Sequence, residues 1–332
     1  MIRAIYRAIK VSAAAPHDTL TLKLFYPAAP TGSEEERMSG VIAADAAQAP
    51  FPVVVFMPGV NVEMACYQWL AVRLAQTGLV VVTYNWVAED LPGYVSLTPG
   101  VNLAAFQPDT YGQQPTTTAL PAILNELAII HDPSRFTHHA SRITPLTGLL
   151  NLNTIILGGH SAGGTIALQN GRSDYFPQVT AVFSYAAHTM ASTMLGYPPE
   201  TILPLANDCP CLIMGGTNDG VIAASGGRYA STAGSTTAAI ERTFHEGVTR
   251  RQGDSYLALL DGANHFTMAY PLDETTGRPF LDQPSSQPDD QLRDLLANLI
   301  SQFIEAHARR RPNAATALQQ MENELLALFE RK

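Results

Sequence analysis

Hydrophobic residues along the chain fall into short continuous runs that alternate with segments of helical spacing. Six runs have the length and apolar character of buried strands, at 52–57, 79–85, 153–159, 179–186, 209–216 and 255–262. Helical spacing occurs at 66–78, 116–130 and 288–309, and a further helix is expected to begin at SAGGTIALQN. Buried strands alternating with helices predict an α/β protein, with a mostly parallel central sheet and helices on both faces.

The two ends of the chain differ from this central pattern. AIYRAIKVSA and TLTLKLFYPA, near the N-terminus, are rich in β-forming residues and flank the turn signal Pro16-His17-Asp18. They predict an antiparallel pair of strands at a sheet edge. Residues 313–332 have the spacing of one C-terminal helix, with a single face formed by Leu318, Met321, Leu325, Leu328 and Phe329. We expect that face to pack on the domain; the alternative is a homodimer through this helix.

One domain over residues 1–310 fits the pattern better than two, because neither an interdomain linker nor an internal repeat is visible. Three segments exceed the usual connection length, at 87–114, 220–253 and 266–287. Each follows the carboxyl end of a strand, where parallel sheets carry their binding and catalytic groups. We therefore expect these segments to form the walls of a substrate cleft; the alternative is that they are surface insertions.

Composition narrows the class of protein. The 332 residues are 46% hydrophobic and 15% charged, which is typical of a globular chain. A net charge of -9 argues against general nucleic-acid binding. No stretch approaches the ~18 apolar residues of a membrane span, and the N-terminus lacks the apolar core of a leader. Cys66, Cys209 and Cys211 form neither a disulfide framework nor a zinc pattern. We expect a soluble, cytoplasmic protein.

Candidate chemistry begins at Gly159-His160-Ser161-Ala162-Gly163, which fits the pattern G-x-S-x-G between a predicted strand and a predicted helix. In that context the serine occupies a sharp, strained turn, and the residues two positions away must be small because neighbouring chain crowds them. A tight turn without chemistry is the alternative. The segment lacks the G-x-x-x-x-G-K of a phosphate loop, and nothing else in the sequence calls for a cofactor.

A serine hydroxyl is a poor nucleophile until a base removes its proton. Of the nine histidines, His265 follows the last predicted strand and is the expected base, with His188 as its rival. His160 adjoins the serine and is expected to point away from it. His138 and His139 form an adjacent pair, which we interpret as solvated rather than as a metal site.

The base in turn needs a carboxylate to fix its tautomer and to stabilise its cation. Asp219, in LIMGGTNDGVI, lies just beyond a predicted strand and is the expected partner. Asp261 precedes the histidine too closely, and Glu246 and Asp254 lie in an inserted segment or at its end. The chain order Ser161, Asp219, His265 then follows.

An oxyanion that develops during acyl transfer needs N–H donors already in place. The backbone N–H of Ala162, at the start of the helix after the serine, is one expected donor. The second is expected in FMPGVNVEM, from Val60 or, as the alternative, from Asn61. Gly59 lets the backbone turn inward there.

Together these residues resemble the α/β-hydrolase superfamily over roughly residues 19–307. The resemblance is carried by LFYPA, PVVVFMPG, AVRLAQTGLVVVTYN, GGHSAGG, CLIMGGTNDGV and DGANHF. Within the superfamily the chain is similar to the dienelactone hydrolase-like group, which includes platelet-activating-factor acetylhydrolases, chlorophyllases and cutinase-like polyester hydrolases. The resemblance implies a catalytic triad of Ser161, Asp219 and His265. The chain departs from dienelactone hydrolases proper, which use cysteine, and from chlorophyllases, which typically have arginine at position 162.

The motif and the resemblance imply a serine carboxylic-ester hydrolase that acts through an acyl-enzyme. An apolar group on a small-molecule ester is expected from the apolar residues of the first insertion, Leu91, Tyr94, Val95, Leu97, Phe106 and Tyr111. One alternative is a chlorophyllase or a lipase/polyesterase specialised for a bulky ester. Another is a non-catalytic binding module on the same fold.

Overall fold

A computed structural model describes residues 1–11, 14–91, 93–132, 134, 144–231 and 234–332. Its strands, numbered in chain order, are Ile2–Lys10 (β1), Thr19–Pro27 (β2), Phe51–Met57 (β3), Val80–Leu91 (β4), Tyr94–Leu97 (β5), Leu150–His160 (β6), Val179–Tyr185 (β7), Cys211–Gly216 (β8), Ser255–Leu260 (β9) and Leu326–Arg331 (β10). Its α-helices are Glu34–Ser39 (α1), Gln68–Gln76 (α2), Ala119–His131 (α3), Ala162–Gln169 (α4), Gly220–Ala224 (α5), Ala238–Arg242 (α6), Asp289–Phe303 (α7) and Pro312–Gln319 (α8).

The strands form one mixed, mostly parallel sheet in the order β1-β2-β4-β3-β6-β7-β8-β9-β10, with β5 paired to β4. Every neighbouring pair from β4 to β9 is parallel. β1 pairs antiparallel with β2, and β2 antiparallel with β4. The predicted α/β class and the antiparallel N-terminal pair at the sheet edge are confirmed.

Alternate residues of the central strands belong to two separate hydrophobic cores, one on each face of the sheet. Val54 and Phe56 of β3 pack with α2 and α7. Val53 and Val55 point the other way and pack with α3 and α4. This alternation follows from the period of two along a strand, and it explains why the central strands are apolar throughout.

The C-terminal segment corrects the prediction of a single helix over 313–332. α8 ends at Gln319, and after a turn the chain forms β10, which pairs antiparallel with β9. The exposed edge of β9 offers unpaired backbone groups, and satisfying them outweighs the helical spacing of the side chains. The face that suggested a homodimer is occupied within the chain, because Leu318 is fully buried and Leu325 and Phe329 pack on the domain core.

The three long segments are partly ordered into secondary structure. The first continues β4, turns back as β5 and then forms a 3₁₀ turn at Leu103–Phe106. The second contains α5 and α6, and the third contains 3₁₀ turns at His265–Met268 and Pro279–Leu281. All three cysteines are buried and free. Within the described residues no helix is both long enough and apolar enough to span a bilayer.

Candidate active site

Ser161 lies at the junction between β6 and α4 with φ 55° and ψ -126°. A positive φ is costly for a residue that has a side chain, so the surrounding chain must enforce it. The glycines two positions away show how closely the chain is packed. A Cβ on Gly159 would lie 2.4 Å from the carbonyl oxygen of Gly163, and a Cβ on Gly163 would lie 2.3 Å from the carbonyl oxygens of Met57 and Pro58. The predicted steric reason for these two glycines is confirmed.

The structure brings Ser161, His265 and Asp219 into one hydrogen-bonded chain. His265 Nε2 lies 3.1 Å from Ser161 Oγ, and His265 Nδ1 lies 2.8 Å from Asp219 Oδ2. A carboxylate can only accept, so Nδ1 carries the ring proton and Nε2 is free to accept from the serine hydroxyl. Asp219 is fully buried and His265 nearly so, while Ser161 is partly exposed.

The ends of two strands and one further carboxylate position Asp219 and His265. Asp219 follows β8 and caps α5, since its Oδ1 accepts the Ile222 N–H at 2.8 Å. His265 follows β9. Asp282, from the third inserted segment, accepts the N–H of Gly220 through Oδ1 at 2.9 Å and the N–H of Phe266 through Oδ2 at 3.2 Å. Asp282 therefore links the backbone beside Asp219 to the backbone beside His265, and burial raises its own pKa.

The rival residues have other partners. The ring of His188 lines the same cavity as Ser161, but its Nδ1 accepts the Met190 N–H at 3.2 Å, and burial lowers its pKa to about 4. Glu246 pairs with Arg242 and Asp254 with Arg250, while Asp261 accepts from Gln287. His138 and His139 lie outside the described residues.

His160 points away from Ser161, as expected, into a buried polar network. Its Nε2 lies 3.0 Å from the carbonyl oxygen of His265, and its Nδ1 lies 2.9 Å from the hydroxyl of Tyr67. Since the carbonyl only accepts, Nε2 carries the proton and Nδ1 accepts from Tyr67. The Tyr67 oxygen in turn accepts the Gly59 N–H at 3.0 Å. Burial holds the pKa of His160 well below its usual value, so the ring is neutral.

The backbone N–H groups near Ser161 separate the two alternatives for the second donor. Asn61 donates its N–H to the carbonyl of Leu97 at 2.9 Å and accepts the Leu97 N–H on its side-chain oxygen at 3.1 Å. Its N–H is therefore engaged. Within the described part of the chain, the N–H groups of Val60 and Ala162 have no acceptor. Val60, Ala162 and Ser161 all line one cavity.

That cavity has a volume of about 570 Å³, which is in the usual range for small-molecule sites. All three inserted segments contribute to its wall, through Phe106, Ile222 and Phe266 among others. Of the six apolar residues singled out in the first segment, Tyr94 and Phe106 line the cavity. Val95 is exposed instead, and Tyr111 packs against Phe106.

Sequence reasoning missed several residues around the site. Asp282 and Tyr67 lie far along the chain from Ser161, and neither belongs to a motif. The stretch after β7, from Thr189 to Ser192, forms another part of the cavity wall. Its position beyond the carboxyl end of a parallel strand was the available signal.

Among the residues described, no cluster of three or more histidine, cysteine or acidic side chains is placed to bind a metal. Comparison of the chain with protein-family models gave no match, and comparison with curated proteins gave none either.

Proposed function

We propose that this protein is a serine carboxylic-ester hydrolase with an α/β-hydrolase fold. The observation that carries the proposal is the hydrogen-bonded chain from Ser161 through His265 to Asp219, with the hydroxyl end at a cavity of about 570 Å³. A buried carboxylate, an imidazole of fixed tautomer and a strained serine form the arrangement that activates a hydroxyl for acyl transfer.

In the first half-reaction, Ser161 Oγ bonds to the ester carbonyl carbon while His265 Nε2 takes the hydroxyl proton. The imidazolium is stabilised by Asp219, which accepts from Nδ1. The carbon–oxygen bond to the alcohol then breaks, and the alcohol leaves with the proton from Nε2. An acyl-enzyme and a free alcohol are the products of this step.

In the second half-reaction, water gives a proton to His265 Nε2 and adds to the acyl carbon. The bond to Ser161 Oγ breaks, the serine regains the proton, and the carboxylic acid is released. We propose that the N–H groups of Val60 and Ala162 donate to the oxyanion formed in both halves. Both line the cavity beside Ser161, and within the described residues neither has another acceptor. A single such donor is typically worth ~3 kcal/mol in the transition state.

A chlorophyllase or a lipase/polyesterase for a bulky ester is the second candidate. The apolar side chains of Phe106, Ile222 and Leu195 in the cavity wall favour an apolar group in the substrate. A non-catalytic binding module would have no need of the strained serine or of a histidine oriented toward it. Cytoplasmic location and a homodimer stay predictions.

Hydrolysis of p-nitrophenyl esters from acetate to palmitate, run beside chlorophyll and a polyester film, tests the proposal. We expect Ser161→Ala to lower kcat/KM by about 10⁴-fold or more, and His265→Ala to do nearly the same. Asp219→Asn should also lower it by about 10⁴-fold, because the imidazole loses its fixed tautomer. Asp261→Asn, outside the hydrogen-bonded chain, serves as its matched control. Full esterase activity in Ser161→Ala would contradict the mechanism.

A further inference from the structure

Two arginines line the cavity that contains Ser161. Arg228 is exposed at its wall, and Arg278 is partly buried. Arg278 has a neutral hydrogen-bond partner, because its Nη1 donates to the hydroxyl of Ser225 at 3.3 Å. In the described ranges of the chain, no carboxylate lies within 4.0 Å of either guanidinium. Within the described residues, the cavity thus presents two cations that no carboxylate contacts directly.

Most of the partly buried arginines that the structure describes pair with a carboxylate instead. The distances are 2.6–2.7 Å in the pairs Arg172–Asp174, Arg242–Glu246, Arg250–Asp254 and Arg309–Glu305. Those pairs lie outside the cavity. Holding a partly desolvated cation beside a like charge costs free energy, which a bound anion would recover.

The electrostatics of Arg278 agree with this geometry. Burial lowers the pKa of its guanidinium, and the positive charge of Arg228 lowers it further. Asp219 acts in the opposite direction, but its two oxygens are taken by His265 and Ile222. Because the ordinary pKa of a guanidinium lies far above neutrality, Arg278 stays charged.

Two neighbouring hydroxyl groups complete the cluster. Ser225 is buried and donates its own proton to the carbonyl of Val221 at 2.7 Å, so its oxygen remains to hold Arg278. Tyr229 lines the same wall, and burial raises the pKa of its phenol, which therefore stays a donor at neutral pH. The positive charges of Arg228 and Arg278 act against burial and lower the pKa of that phenol. One wall of a mainly apolar cavity therefore gathers three donors.

We propose, on the basis of the ester-hydrolase function above, that the natural substrate is an ester that also carries a carboxylate, which Arg278 and Arg228 bind while Ser161 attacks the ester carbonyl. A guanidinium matches a carboxylate through two parallel N–H···O bonds. The substrate class comprises half-esters of dicarboxylic acids, with the charge on the acyl side, and esters of hydroxy acids, with the charge on the alcohol side.

Two matched pairs of esters test the proposal, each differing by a carboxylate in place of a methyl group. Monoethyl glutarate and ethyl pentanoate probe the acyl side, and para-acetoxybenzoate and para-tolyl acetate probe the alcohol side. We expect wild-type kcat/KM to favour the charged member by at least about tenfold in one pair, and added salt to reduce that preference. Equal or better turnover of the neutral member in both pairs would overturn the proposal.

Substitutions of the two arginines test whether they cause the preference for the charged ester. Arg278→Gln is expected to lower the charged-to-neutral ratio of kcat/KM by about tenfold, and Arg278→Lys by less, because lysine keeps the charge but loses the planar fork. Arg228→Gln is the second variant, should Arg278→Gln fold poorly. Arg251→Gln, at an exposed position outside the cavity, is the control and should leave the ratio unchanged. An unchanged ratio in both Arg278→Gln and Arg228→Gln would contradict the assignment.

A binding measurement separates failure of this proposal from failure of the proposed function. Calorimetry on Ser161→Ala protein should show tighter binding of monoethyl glutarate or para-acetoxybenzoate than of its neutral counterpart, and Arg278→Gln in the same background should remove the difference. If the wild type hydrolyses neither these four esters nor any p-nitrophenyl ester, the esterase proposal fails, and the binding result alone decides whether the arginines form an anion site. No difference in binding for either pair would overturn the anion site.

Discussion

The Nε2 of His160 lies 3.0 Å from the backbone carbonyl oxygen of His265, so the residue just before the proposed nucleophile anchors the backbone of the proposed base. Through its Nδ1 the same ring reaches Tyr67, whose hydroxyl holds the N–H of Gly59. One neutral histidine thus connects three elements that the proposed reaction needs in register: the nucleophile, the base and the turn that carries Val60.

Tyr67→Phe should disturb that register without touching the substrate. The change removes the donor to His160 Nδ1 and the acceptor for the Gly59 N–H, and leaves both buried groups unsatisfied, at about 1–3 kcal/mol each. We expect kcat for a p-nitrophenyl ester to fall about 10- to 100-fold with little change in KM. Tyr6→Phe, on an exposed side chain, is the control. Wild-type kcat in Tyr67→Phe would show that the network has no positioning role.

Gly163→Ala tests the crowding at the turn. The added Cβ would lie 2.3 Å from the carbonyl oxygens of Met57 and Pro58, and backbone atoms cannot move aside as a flexible side chain would. We expect a loss of several kcal/mol in the free energy of unfolding, measured by urea denaturation, together with loss of esterase activity. Gly227→Ala, where no atom lies within 4 Å of the added Cβ, should change neither by much. A Gly163→Ala protein as stable as wild type would refute the steric argument.

Stability should fall as the solution is acidified from pH 6.5 toward 5. Burial lowers the pKa of His160, His188 and His307 in the folded protein, that of His188 to about 4, whereas in the unfolded chain they titrate near 6.5. Below that value the unfolded state binds more protons, so acid favours unfolding. Their stabilising contribution is complete above the unfolded pKa and is lost toward the folded one.

Each such histidine adds up to about 1.4 kcal/mol per pH unit to the slope of the free energy of unfolding against pH in that window. Urea denaturation at half-unit pH steps measures the total slope, and His307→Gln should lower it by one histidine's share. His17→Gln, at a partly exposed position, is the control. A free energy of unfolding that is flat between pH 6.5 and 5 would contradict the account.

The sequence predicted the site better than its surroundings for a physical reason. Parallel strands end at one edge of the sheet, so residues that follow β6, β8 and β9 must lie near one another, and the glycines around Ser161 mark a turn with no room for side chains. No local pattern marks Asp282 or Tyr67, because their partners are backbone groups and rings that the fold brings together. The same limit explains β10, where pairing with the edge of β9 overrides helical spacing.

Active-site labelling with a fluorophosphonate tests the central claim most directly, because the reagent reacts with a serine only where a base and oxyanion donors activate it. Intact-protein mass and peptide mapping should show one adduct per chain on Ser161, no adduct in Ser161→Ala, and labelling slowed at least about 100-fold in His265→Ala. Wild-type protein that stays unlabelled, or that carries its adduct at another residue, would contradict the account.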